Sequence, residues 1–112
     1  MKTLFLKEKK MCHLKSYQLA IKFYRQAVAV SLPYYLKDQL RRASLSIALN
    51  ISEGTGRRTV PDRVRFFQIA MGSIRECQTI VELESGAFNH EAKEVLDHLA
   101  AATYNLIKNS KL

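Results

Sequence analysis

The chain has 112 residues, 47% of them hydrophobic, and a formal net charge of +8. This suits one ordinary domain around one core, spanning residues 1–112, and leaves no room for two. Two prolines, four glycines and no low-complexity tract argue against a disordered chain, and no segment approaches the roughly 18 apolar residues of a membrane-crossing helix.

Leu4-Phe5-Leu6 is too short an apolar run for the core of a signal peptide, so a cytoplasmic, membrane-free protein is expected. Cys12 and Cys77 lie far apart with no Cys-x-x-Cys spacing. They read as two reduced thiols, Cys77 within the core. The basic charge is unevenly placed. Residues 1–60 hold twelve Lys/Arg against three Asp/Glu, whereas residues 61–112 hold six against seven. That asymmetry points to a polyanionic partner, nucleic acid before membrane. Lys2, Lys7, Lys9, Lys10 and Lys15 make residues 1–12 and their margin either a flexible basic arm or a tail without a partner.

Apolar residues recur at spacings of three and four, the period of amphipathic helices. The first predicted helix runs from Leu14 to Val30, with Leu14, Tyr17, Ile21, Tyr24 and Val28 as its stripe, and Pro33 ends it. The second runs from Tyr34 to Glu53 on Leu36, Leu40, Ala43, Ile47, Asn50 and Gly54. Gly54 and Gly56 are expected to stop it with positive φ angles. The third runs from Val60 to Glu84 on Val60, Val64, Phe67, Met71, Ile74, Gln78 and Val81, with Thr59 as N-cap and Pro61 in its first turn. The fourth follows the N-cap residue Asn89 on Val95, Leu99, Ala102 and Leu106. Linkers this short force neighbours to lie antiparallel, which predicts an all-α, up-down-up-down four-helix bundle.

Helices two and three carry more apolar residues than one stripe needs. Leu45 and Leu49 lie off the seam of helix two; Phe66, Ala70, Cys77 and Ile80 lie off that of helix three. A second stripe means a wide core face or a subunit interface, and Leu45, Leu49 and Phe66 are the interface residues of a homo-oligomer on the second reading. Polar residues also fall near the seams. A hairpin folding at Arg57–Arg58 sets Ala43 against Gly72 for close backbone approach, Gln39 against Glu76, and Arg42 near Ser73. Gln39, Arg42, Ser46, Asn50, Ser73 and Glu76 are therefore expected as structural polar contacts, because a buried polar group without a partner is costly.

No catalytic site, metal site or cofactor is expected. His13, His90 and His98 lack the Glu-x-x-His pattern of a metal-binding bundle. Gly54-Thr55-Gly56-Arg57-Arg58 lacks the Lys-Ser/Thr of a phosphate-cradling loop. Arg57, Arg58, Arg63 and Arg65 cluster at one end of the predicted bundle, and Arg41 lies on helix two. A guanidinium matches phosphate with a fork of donors, so these five are the expected nucleic-acid contacts, to RNA ahead of DNA.

The string Leu32-Pro33, Gln39-Leu40-Arg41-Arg42-Ala43, Ser46-Ile47, Asn50-Ile51-Ser52-Glu53-Gly54-Thr55-Gly56-Arg57, Phe66-Phe67-Gln68-Ile69-Ala70, Gly72-Ser73 and Glu76 resembles the four-helix-bundle proteins encoded within 23S rRNA intervening sequences of bacteria. The resemblance covers residues 14 to about 107. It departs at Ser52, where the family more often has alanine, and at Pro61-Asp62-Arg63-Val64, where a glutamate more often precedes the aromatic pair. It implies a homopentamer with a basic surface, related to the accessory proteins of diversity-generating retroelements, which are barrel-like pentamers that bind nucleic acid and a reverse transcriptase. Two functions follow as expectations: a non-enzymatic nucleic-acid-binding oligomer, or a helical scaffold that binds a protein partner such as a reverse transcriptase.

Overall fold

The computed structural model describes residues 14–110. The expected basic arm at residues 1–12, with Cys12 and His13, lies outside the described residues. Four helices follow in order: α1 (Lys15–Ala29), α2 (Tyr34–Thr55), α3 (Val60–Leu83) and α4 (His90–Ser110), with a 3₁₀ turn at Ser85–Ala87. Each packs on its neighbours in sequence, and α1 closes against α4. The result is an antiparallel four-helix bundle measuring 43 × 26 × 23 Å. The α2–α3 hairpin forms the most extensive of the four seams.

The helix ends follow from local chemistry. Val30 leaves α1 in an extended conformation ahead of Pro33, and Lys37 Nζ donates to the Val30 carbonyl at 2.7 Å, satisfying an oxygen that the helix leaves open. At α3, Thr59 Oγ1 accepts from the Asp62 N–H at 3.3 Å, with Pro61 in the first turn. At α4, Asn89 Oδ1 accepts from the Ala92 N–H at 2.8 Å. The end of α2 differs from expectation. Among the described residues no glycine has a positive φ. Gly54 is helical, and the chain leaves α2 through N–H donations from Gly56 to the Glu53 carbonyl and from Arg57 to that of Gly54. Gly54 is instead needed for space. A Cβ there would lie 2.5 and 2.7 Å from ring carbons of Phe67, which is itself buried.

The core combines bulky and small residues. Phe23, Phe67, Leu40, Ile47, Ile51, Ile74 and Leu99 are all but completely buried, each contributing about 1.5–3 kcal/mol by leaving water. Helix α1 is rotated relative to its expected stripe. Ser16, Ala20, Phe23 and Ala27 are buried, whereas Leu14, Tyr17, Ile21, Tyr24 and Val28 are half-buried on the flank. Small residues let the backbone approach its neighbours, and the flank lets the tyrosine hydroxyls reach water. On α3 the extra apolar residues Ala70, Cys77 and Ile80 turn inward beside Phe67, Ile74 and Val81, so that helix has a wide core face. Phe88, in the linker to α4, is also buried in the core.

Candidate nucleic-acid interface

The end of the α2–α3 hairpin gathers four arginines within nine residues because α2 stops at Thr55 and α3 starts at Val60. Arg57 Nη2 meets Glu53 Oε1 at 2.6 Å, and Arg65 Nε lies 3.9 Å from Asp62 Oδ1. Arg63 Nη1 reaches back to the carbonyls of Arg57 (3.4 Å) and Arg58 (3.2 Å), tying the loop to the first turn of α3. The exposed Arg58 guanidinium makes no ion pair among the described residues. From Glu53 to Phe66, four guanidiniums stand against two carboxylates, leaving an excess of two positive charges in this segment.

Phe66 sits among them. Its ring centroid is 4.6 Å from Arg57 Cζ and 4.4 Å from Arg65 Cζ. The electron-rich ring face attracts both cations. Sequence reasoning missed this arrangement and the roles of Glu53 and Asp62. The signal was present in spacings, Glu53–Arg57 at four residues and Asp62–Arg65 at three, which place side chains together on a helix.

The other expected residues fall elsewhere. Arg41 lies sixteen positions before Arg57, roughly 24 Å along a helix at 1.5 Å per residue. Asp38 holds it at 3.1 Å, and also holds Arg42 at 3.4 Å. Arg41 is therefore not part of the loop cluster. Arg42 is exposed and does not reach Ser73. The residue facing Ser73 is Ser46, whose Oγ accepts from Ser73 Oγ at 2.9 Å. Asn50 Nδ2 donates to the Ser46 carbonyl at 2.9 Å and to its Oγ at 3.1 Å. Gln39 Nε2 donates to Glu76 Oε2 at 3.4 Å on the exposed flank. Gly72, expected to allow close approach of Ala43, is exposed instead, and a Cβ there would meet open space.

Other chemistry is sparse. Among the described residues no group of three or more His, Cys, Asp or Glu is placed to hold a metal ion. His90 is exposed beside Glu94 at 3.4 Å. Burial, reinforced by the charge of Glu76, pushes the Cys77 thiol up to about 12, so it stays protonated and unreactive in the fold. No described helix is long and apolar enough to cross a membrane. The outer surface of α2 and α3 leaves Leu45 (42% exposed), Leu49 (58%) and Ile69 (43%) bare.

The chain matches the family model described as 23S rRNA-intervening sequence protein over residues 8–109. No curated protein matches it.

Proposed function

The chain belongs to the 23S rRNA-intervening sequence protein family, and on that premise we propose that it is a non-enzymatic, homo-oligomeric four-helix bundle that binds nucleic acid, RNA ahead of DNA. The observation that carries the reading is the excess of guanidiniums over carboxylates at the α2–α3 turn. Arg57, Arg58 and Arg65 supply the phosphate contacts, and Arg63 holds the turn in shape. Because phosphate contacts position a nucleic acid without reading its bases, binding has little sequence preference. The +8 charge of the chain adds long-range attraction. Arg41, compensated by Asp38, makes a separate and weaker contact. The family resemblance supports five copies in the oligomer.

The test is a titration of structured RNA across a salt series. Affinity falls steeply as salt rises, and Arg57→Ala with Arg58→Ala flattens the log–log slope by about one for each guanidinium–phosphate pairing removed. Arg41→Ala leaves most of the slope in place. Absence of binding by the unmodified protein at low salt overturns the reading.

A second reading is favoured by Leu45, Leu49 and Ile69, three of the exposed apolar residues of the α2–α3 hairpin. On that reading the oligomer is a scaffold whose surface binds a protein such as a reverse transcriptase. A protein partner that stays bound in high salt, with no nucleic acid in the absorbance at 260 nm, would favour it over the first.

A further inference from the structure

The Phe66 ring has two guanidiniums against it, and nothing in a plain charge cluster requires that. Arg57 approaches from the turn, Arg65 from the preceding position on α3, with Cζ atoms 4.6 and 4.4 Å from the ring centroid. The two cations are therefore no more than about 9 Å apart, close enough for both to face neighbouring phosphates of one strand. Two like charges so close repel each other. The ring, Glu53 and Asp62 offset that repulsion in the free protein. An aromatic contact differs from a carboxylate contact in one respect: it attracts a guanidinium without occupying its N–H donors. Arg57 uses Nη2 on Glu53, and its Nε and Nη1 have no partner among the described residues. The Nη1 and Nη2 of Arg65 are likewise without one.

We infer that Phe66 is a positioning residue: its ring holds Arg57 and Arg65 as a preformed pair of donor forks for adjacent phosphates of a nucleic-acid strand. The inference rests on the nucleic-acid reading and sharpens it, since it assigns part of the affinity to an uncharged residue. The ring fixes two long side chains whose ordering would otherwise oppose binding, and pre-ordering raises affinity without adding a contact.

The experiment compares the full chain with Phe66→Leu and Phe66→Tyr. Each is titrated against a fluorescently labelled RNA hairpin at one low salt concentration, and thermal melts establish that both variants fold. All three proteins carry the same charge. Phe66→Leu should bind about five- to tenfold more weakly, the scale of two cation–ring contacts, and Phe66→Tyr should restore binding. Equal affinity of Phe66→Leu and the unmodified protein overturns the inference while leaving the nucleic-acid reading standing. A Phe66→Tyr protein as weak as Phe66→Leu also overturns it, because the weakening would then not come from the aromatic ring. No RNA binding by the unmodified protein overturns both. NMR of the unmodified protein gives a measurement free of folding effects. The side-chain Nε–Hε signals of Arg57 and Arg65 should lie upfield of the free-arginine position through the ring current, and signals at that free position overturn the inference.

Discussion

Gly54 and Gly72 both lie inside helices, and at either place alanine is the better helix former by about 1 kcal/mol. Their surroundings reverse the outcome at one of them. At Gly54 a methyl group would enter the space of the Phe67 ring, 2.5 Å from its nearest carbon. That ring is buried and has nowhere inexpensive to go, and overpacking a core costs about 1–3 kcal/mol. Gly54→Ala should therefore lower stability by up to about 2 kcal/mol after the propensity gain is counted. Gly72→Ala meets nothing within 4 Å and should raise stability by about 0.5–1 kcal/mol. Urea unfolding of the two variants beside the parent checks both signs. Neither role was legible from one dimension. Gly54 resembles a helix stop because glycine is common at one, and its true partner is thirteen residues away across a turn. Gly72 looked like a close-approach residue because the assumed hairpin register put it opposite Ala43.

At the scale of elements the sequence was far more readable. Pro33, Thr59 and Asn89 mark boundaries by chemistry that acts within one turn, so α1, α3 and α4 begin or end within a residue or two of their expected positions. Rotation about the helix axis was less legible. A broad apolar stripe on α1 fits both the set led by Tyr17 and Ile21 and the set led by Ala20 and Phe23, and only the neighbouring helices decide between them. Lateral register suffers in the same way: the inward serine pair Ser46–Ser73 forms where Arg42 was expected to meet Ser73. This pair, with Asn50, is the polar link of the α2–α3 seam, and its hydroxyls are shielded from water more than the exposed Gln39–Glu76 contact. A double-mutant cycle of Ser46→Ala and Ser73→Ala, read by denaturant unfolding, should give a coupling of about 0.5–1.5 kcal/mol. The corresponding cycle for Gln39 and Glu76, at 3.4 Å in solvent, should give a smaller value. Equal couplings would mean that the serine pair does not set the seam.

For the whole molecule, the proposed self-association and the proposed nucleic-acid binding would respond to salt in opposite directions. Each copy carries +8, so bringing copies together costs repulsion that added salt screens, whereas salt weakens phosphate contacts. Leu45 and Leu49 lie on one exposed side of α2 at a spacing of four residues, and burying the half of each that is still exposed is worth about 0.7–1.5 kcal/mol apiece. Replacing both with glutamate removes that gain and puts charge where apolar surface would meet. If the protein is the proposed homo-oligomer, Leu45→Glu with Leu49→Glu should therefore reduce the mass in solution from a multiple of 12.8 kDa to a single copy, with helical circular dichroism retained, as checked by light scattering. The turn bearing Arg57, Arg58 and Arg65 is untouched in that variant. A single copy would still bind RNA, but without the simultaneous engagement of several turns that multiplies affinity by about 10²–10⁴ when geometry permits. Strong RNA binding by a dispersed variant would place recognition within one copy. A variant that keeps its multiple mass would remove Leu45 and Leu49 from the contact and direct attention to Ile69 and the α3 side of the hairpin.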